Sequence, residues 1–343
     1  MYKDADVSMS RDQSKTGFIS LCYHYLRGPK ETDPFPKILG TQVDVFREHL
    51  DMLTKKYQIL SLEDVFAFFK GESVISDGRY GLLITFDDGL SDHYTGAKIL
   101  YEYGIKGTFF IPTTILEDGL PANPNIIHYT LAEFGIAKFL EVMEQALSDL
   151  DIENSVRKIT FDKNRDNSWE TIAEIKTVFK YALGYNESRA VLLYIYKNLF
   201  GKRHKNAMNI IHLDKSQISE MISMGHSIGS HTRSHISVAA TELSKNDFEK
   251  EIVDPKFYLE ETFNTPVKAF SYPFGGKSDC LSSAALLKKT RIYDMAFTVE
   301  PVINTQETSV FEVGRYQPRS TDTTKDLQMT LQGIIRNNNT IEV

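Results

Sequence analysis

In the stretch GSHTRSH, residues 229–235, His231 and His235 stand four positions apart. On a helix or in a compact loop, that interval puts two imidazoles on one side, a common way of gripping zinc or a similar ion. Much earlier, the apolar run GLLITF leads straight into Asp87, Asp88 and Gly89. Two adjacent carboxylates at the end of an apolar strand repel each other if both ionise in a poorly solvated place, so one is protonated or a cation sits nearby. A divalent metal resolves the conflict by taking one carboxylate as a ligand and leaving the other free to accept a proton. Gly89 would permit the tight turn that aims both side chains at one point, since neighbours in a regular strand face opposite ways. Each pattern is ambiguous alone: Asp-Asp-Gly also caps helices and forms surface turns, and H-x-x-x-H is a weak motif. Together they supply two histidines and one carboxylate around an open position, the donor set of a catalytic metal site.

The elements that must position these residues alternate. FISLCYHYL (18–26) is rich in β-formers, 43–58 carries apolar residues at helical spacing, and 62–70 reads as a second helix with Ser61 as N-cap and Asp64 three residues on. YGLLITF (80–86) is a nearly continuous apolar run, as in a strand buried on both faces of a parallel sheet. A helix at about 93–103 and a strand at 107–112 follow. Beyond 215 come a helix, the strand HSIGS, a helix over 246–263 despite Pro255, a strand at 267–273, another helix, and a strand at 294–299. Repeated βα units imply an α/β fold with a parallel sheet, open or closed into a barrel, with its chemistry where strands end and loops begin. Residues of about 120–212 break this rhythm with helical patterns and one weak strand signal, VRKITF, and read as a helical insertion. The expected organisation is a polar N-terminal tail over 1–17, a catalytic domain over 18–320 interrupted by that insertion, and a C-terminal tail over 321–343.

The composition is that of a globular protein able to bury a sizeable core: 343 residues, 41% hydrophobic and 25% charged. A formal charge of -7 argues against nucleic acid held by a general electrostatic footprint. Cys22 and Cys280 lie far apart without CxxC pairing, so they read as two packed thiols. No run reaches the length of a transmembrane segment, and the polar N-terminus lacks the apolar core of a secretory signal, which leads to the expectation of a cytoplasmic protein.

TFDDG (85–89) with HTRSH (231–235) resembles the first two motifs of the polysaccharide deacetylase family, the carbohydrate esterases that share the NodB-homology domain. The resemblance covers about 18–115 and 215–320. It implies a distorted (β/α) barrel and metal-dependent removal of acetyl groups from glycans, with an acetylated amino sugar as substrate. It also implies Asp87 as general base and Asp88, His231 and His235 as ligands of a divalent ion, zinc first, with cobalt, nickel and manganese as alternatives. The family's third motif is represented by SYPFG (271–275), so Tyr272, Pro273 and Phe274 are expected at the substrate, with a backbone N–H near Phe274 helping to hold the oxyanion.

Two departures from the family pattern shape the remaining assignments. Ser271 stands where many relatives carry an arginine, and Arg315 in VGRYQP, after the last expected strand, is the candidate to steady Asp87 instead. The family's general-acid histidine usually lies near the C-terminus, yet no histidine follows His235. His24 in LCYHYL ends the first strand, which neighbours the last in a closed barrel. This resembles the permuted order of poly-N-acetylglucosamine deacetylases and makes His24 the expected general acid. His226 is expected to point away by strand alternation, His93 is kept as an outsider, and His49, His128, His204 and His212 read as surface or insertion residues. Three alternatives stay open: the same site could remove formyl groups, open a non-sugar amide, or survive in a catalytically silent sugar-binding domain.

Overall fold

The computed structural model describes residues 17–76, 78–152, 169–201, 204–238 and 243–339. VRKITF lies outside the described residues. Ten strands are present among them: β1 (Phe18–Tyr23), β2 (Leu26–Arg27), β3 (Thr41–Gln42), β4 (Gln58–Leu60), β5 (Gly81–Phe86), β6 (Thr108–Ile111), β7 (Ser227–Ser230), β8 (Ala269–Ser271), β9 (Met295–Phe297) and β10 (Arg315–Tyr316). The main sheet runs β10-β1-β5-β6-β7-β8-β9 with every pair parallel, and β4 also pairs with β5. One segment closes it. Val313 bridges to Phe297 of β9, and two residues later Arg315 pairs with Ser20 of β1. The result is a nearly closed distorted (β/α) barrel, in which the first strand does neighbour the last.

Strand alternation sorts the side chains into two layers and places the chemistry. Phe18, Leu83, Phe110, Ala269, Met295 and Phe297 form one apolar cluster inside the barrel, whereas Ile19, Leu21, Tyr23, Leu82, Ile84 and Phe86 belong to the cluster under the helices. Along β1 the inward positions run Phe18, Ser20, Cys22 and then His24; along β5 they run Leu83, Thr85 and then Asp87. The interior thus passes from apolar to polar toward the carboxyl ends of the strands. Gly229 of β7 is required by this packing, because a Cβ there would lie 2.5 Å from the Phe110 ring.

The helices follow their sequence signals closely. Val43–Lys56 buries Phe46, His49, Leu50 and Leu53, and Leu62–Phe69 begins with the expected capping box, in which Ser61 Oγ accepts from Asp64 N–H at 3.1 Å. The helix expected to pass through Pro255 is interrupted: Lys245–Phe248 leads into a π-turn, Glu249–Val253, and a new helix, Asp254–Phe263, opens with the proline in its first turn, where no N–H is needed. The insertion consists of helices Asn123–Asp149, Trp169–Thr177, Tyr185–Phe200 and His204–Ile211 and has its own apolar core. The segment expected as a C-terminal tail contributes the helix Thr324–Asn339, which buries Leu327 and Leu331.

Several buried histidines report how the scaffold responds to acid. His49, read as a surface residue, is buried because the apolar face of its helix includes it, and its ring meets Tyr23 Oη at 3.1 Å and the Asp322 carbonyl at 3.2 Å. His226 faces away from the site as expected, accepting from Gly107 N–H at 3.0 Å with its other nitrogen 2.9 Å from the Ala97 carbonyl. His93 packs on Phe86 and Phe109 with Nε2 3.0 Å from the His24 carbonyl, and burial pulls its pKa down to about 3. The unfolded chain therefore binds a proton at His93 that the native protein refuses below the ordinary histidine value of about 6.5. Stability conferred by the neutral ring is present above that value and is lost as pH falls toward 3, at about 1.4 kcal/mol per pH unit. Urea unfolding at pH 7, 6, 5 and 4 should show the midpoint falling with a steepening slope; a flat midpoint over that range would contradict the buried neutral state.

Candidate active site

Asp87 and Asp88 reach the same region by different means. Asp87 is the inward residue at the end of β5, its N–H donating to the Tyr23 carbonyl at 3.1 Å. Asp88 would face outward in a continuing strand, but its φ of 84° reverses the chain, and Gly89 follows at φ 58°. HTRSH forms a compact loop after β7 rather than a helix, with Thr232 at φ 60° and His235 at φ 62°. Non-glycine residues in the left-handed region cost on the order of 1 kcal/mol each, and three of them here mark a backbone held by its surroundings.

Much of that holding comes from Glu251 in the π-turn, a buried carboxylate that the sequence pattern did not single out. It accepts from Arg233 N–H at 3.1 Å, Ser234 N–H at 2.9 Å, the Ser234 hydroxyl at 2.8 Å and the Tyr185 hydroxyl of the insertion. Within the loop His235 N–H donates to Thr232 Oγ1 at 2.9 Å. Arg233, facing outward, pairs with Glu117 and Asp118.

Asp88, His231 and His235 converge, with their donor atoms all within 4.8 Å of one another. Asp88 Oδ1 lies 3.5 Å from His231 Nε2 and 3.2 Å from His235 Nε2. His231 Nδ1 sits 2.8 Å from the Ser271 carbonyl, which can only accept, so Nδ1 carries a proton and Nε2 is the nitrogen that faces Asp88. Asp88 Oδ1 is buried and has no hydrogen-bond partner among the described residues. A carboxylate oxygen and two imidazole nitrogens gathered in a buried pocket could hold a cation between them, and one carboxylate with two imidazoles suits a divalent ion of the zinc type. The other oxygen of Asp88 lies 3.4 Å from Asn125 Nδ2, which also donates to the Tyr25 hydroxyl at 3.1 Å, and that hydroxyl meets His128 Nδ1 at 3.0 Å. Asn125 and His128 belong to the insertion, so the insertion reaches Asp88 itself.

Asp87 is held by a different set of groups. Arg315 donates from Nη1 to Oδ1 at 2.8 Å and from Nη2 to Oδ2 at 2.7 Å, and Ser271 Oγ donates to Oδ2 at 2.9 Å. The guanidinium is fully buried and also donates to the Thr298 carbonyl and to the Thr85 and Ser271 hydroxyls. Ser271, where an arginine was missing, thus completes a clamp whose cation comes from β10. Burial alone would raise the Asp87 pKa, but the Arg315 charge and hydrogen bond, with His231 and His24 adding to them, together outweigh burial and keep the carboxyl below the usual range. Oδ1 accepts a single bond in this clamp and retains acceptor capacity.

His24 stands at the rim of the same site. Its Nδ1 is 3.9 Å from Cys22 Sγ, and donor atoms of Cys22, His24 and Asp87 lie within 4.8 Å of one another. Burial lowers its pKa, with Asp88 and Asp87 opposing that shift, so the neutral ring is favoured at rest. Both cysteines are buried and neither forms a disulfide among the described residues.

A cleft of about 470 Å³ opens over these groups, lined by His24, Asp88 and His235 on the barrel side and by His128, Phe179 and Leu183 from the insertion. Of the three SYPFG residues expected at the substrate, only Phe274 lines the cleft. Its φ of 65° swings the ring back over His235, with the centroids 5.0 Å apart. Tyr272 does not, because Ser271 faces inward and alternation sends its neighbour outward, where the hydroxyl donates to the Phe311 carbonyl at 2.9 Å. Pro273 is buried in the turn between them.

A nearly closed parallel barrel with paired aspartates after one strand and a two-histidine loop after another is the arrangement of the NodB-type deacetylase fold. Residues 159–292 match the family described as polysaccharide deacetylase, a segment that contains HTRSH and SYPFG. Among solved structures, deacetylase PplD of Streptococcus pyogenes, in complex with acetate, superimposes with a TM-score of 0.54 at 18% identity, covering 93% of this chain and 99% of that one. IcaB from Ammonifex degensii gives 0.54 at 16% identity, covering 93% and 98%, and a polysaccharide deacetylase from Bacillus cereus gives 0.55 at 15%, covering 92% and 69%. No curated protein matches the sequence. The resemblance to the polysaccharide deacetylase family carried by TFDDG and HTRSH is therefore borne out by the matched segment and by the shared fold. No described helix is long and apolar enough to cross a membrane.

Proposed function

We propose that this protein removes an N-acetyl group from an amino sugar of a glycan or glycan precursor, with Asp88, His231 and His235 holding a divalent ion, zinc first. The observation that carries this reading is the division of labour between two adjacent carboxylates. Asp88 turns a buried oxygen toward two imidazole nitrogens, while Asp87, its neighbour in sequence, is clamped by Arg315 and Ser271.

A divalent ion bound there would supply Lewis acidity toward the acyl carbonyl and toward water at the same centre. Asp87, oriented by Arg315 and Ser271, would accept the proton of the attacking water at Oδ1. His24, close to Asp87, would receive that proton and deliver it to the departing sugar nitrogen, so it need not be charged beforehand. Phe274 would cover the acyl group from the side of His235 and keep bulk water out. Acetate and a free amino sugar are the products.

The test is release of acetate, against formate, from a panel of acylated nucleotide sugars and oligosaccharides, with elemental analysis of the purified protein. Formate release alone would reassign the acyl group, and absence of metal together with absence of turnover would overturn the reading. For the general acid, His24→Ala is expected to lower N-acetyl hydrolysis by about 100-fold at unchanged metal content. The loss should be much smaller on an activated ester such as 4-nitrophenyl acetate, whose leaving group needs no proton. Equal losses on both substrates would remove His24 from that role.

A further inference from the structure

The cleft carries a charge that hydrolysis of a neutral amide does not require. The chain as a whole is acidic, at -7, yet Asp88 is the single carboxylate among the described residues lining the cleft, and its oxygens face the two histidines and Asn125. Against it stand Lys176 and Lys180 from the insertion and Arg319 beyond β10, all three lining the same space. Lys180 sits over the Phe274 ring, 4.5 Å from its centroid. The side chains of Lys176 and Arg319 make no hydrogen bond or ion pair among the described residues, although acidic partners satisfy Arg27, Arg47 and Arg233 elsewhere. Lys176 is near enough to Asp88 and His128 to sense both. Lys176 and Arg319, placed at a concave site and unpaired among the described residues, favour an anionic ligand, because that ligand supplies the missing counter-charge.

We propose that the cleft is built for an acylated amino sugar bearing an anionic group, a phosphate ester or a carboxylate, held between Lys176 and Arg319 with Lys180 beside it. This rests on the deacetylase reading for the sugar and adds the class of substituent. A phosphate and a carboxylate share the anionic oxygens that these side chains would bind, and Arg319 could take two of them at once. The insertion then has a chemical purpose: it carries two of the three cations to a barrel site that lacks them.

The test is calorimetric binding to the metal-loaded protein of three probes: N-acetylglucosamine, N-acetylglucosamine 1-phosphate and N-acetylmuramic acid. At least one anionic probe is expected to bind about tenfold more tightly than the neutral sugar at low ionic strength, with the advantage shrinking in ~0.5 M salt. The preferred anion identifies phosphate or carboxylate as the natural group. Lys176→Gln and Arg319→Gln should each cut the preference about threefold or more. Equal affinity for all three probes would overturn the proposal, and so would a preference that both variants retain, since it would then belong to the metal. The salt dependence of the unaltered protein provides the same discrimination if a variant fails to fold. Acetate release is read in parallel: a neutral sugar deacetylated without any anionic preference would refute this proposal and leave the deacetylase reading intact. An anionic preference without acetate from any probe would do the reverse.

Discussion

Asp87→Asn is expected to reduce acetate release by about 1,000-fold or more while the purified protein keeps its full complement of metal. The amide is nearly isosteric, so the end of β5 and the turn through Asp88 should persist. What changes is the ability to take a proton, a contribution of about 100- to 10,000-fold where a positioned group acts as the base. A second consequence comes from the clamp. Arg315 donates to both oxygens of Asp87 and Ser271 to one of them, so an amide nitrogen on either side replaces an acceptor with a donor. A buried guanidinium that loses one acceptor costs about 1–3 kcal/mol, which thermal unfolding would register as a lower midpoint. Near-normal turnover in the variant would show that another group takes the proton. Loss of metal would instead show that Asp87 is a ligand, contrary to the engagement of both its oxygens by Arg315.

How far such a site can be read from sequence depends on where its contacts lie along the chain. TFDDG and HTRSH are legible because each packs its chemistry into five consecutive residues at a strand end, where an apolar run breaks into polar residues. The parity of β1 and β5 does the rest: once Leu83 and Phe18 face the barrel interior, Asp87 and His24 face the site. The turn that unites the two aspartates was attributed to Gly89, yet Asp88 itself adopts the left-handed conformation, a strain no pattern signals. Arg315 was reachable as the residue after the last strand, but its five donated hydrogen bonds depend on the closure of the sheet by 313–316. Tyr272 was misplaced because a motif was treated as a unit, although alternation separates it from Ser271.

Asn125 and Glu251 show what remained out of reach. Asn125 lies 37 residues from Asp88 at the start of a helix in the insertion, and its single amide carries no periodic or motif signal. Glu251 reads as one more charge in NDFEKEIVDPKF; only the π-turn before Pro255 rotates it inward to collect the N–H groups of the histidine loop. Both contacts arise from packing the insertion and its neighbours against the barrel, a step that local propensity does not encode. The Tyr185–Glu251 and Asn125–Asp88 contacts also tie the insertion to the two halves of the candidate metal site, so its place over the cleft is fixed from both sides.

His231→Ala should produce the opposite signature to Asp87→Asn: activity lost together with the metal. His231 Nε2 is one of three protein donors, and its ring is oriented by the bond from Nδ1 to the Ser271 carbonyl at 2.8 Å. If an apparent binding free energy of about 10–16 kcal/mol for a four-ligand zinc site is shared among its ligands, losing one forfeits about 2.5–4 kcal/mol, or a factor of about 60 to 700 in affinity. Elemental analysis after dialysis should therefore find little metal in His231→Ala, and turnover should fall at least as far as in Asp87→Asn. Excess zinc in the assay separates the two, because it can refill a weakened site but cannot replace a missing base. Partial recovery is expected for His231→Ala and none for Asp87→Asn. The variant also removes the group that meets the Ser271 carbonyl, which is why His231→Gln, able to keep a donor there, is the better control for folding. Full metal occupancy in His231→Ala would mean that the convergence of Asp88, His231 and His235 is a hydrogen-bonded cluster, with the ion bound elsewhere or not at all.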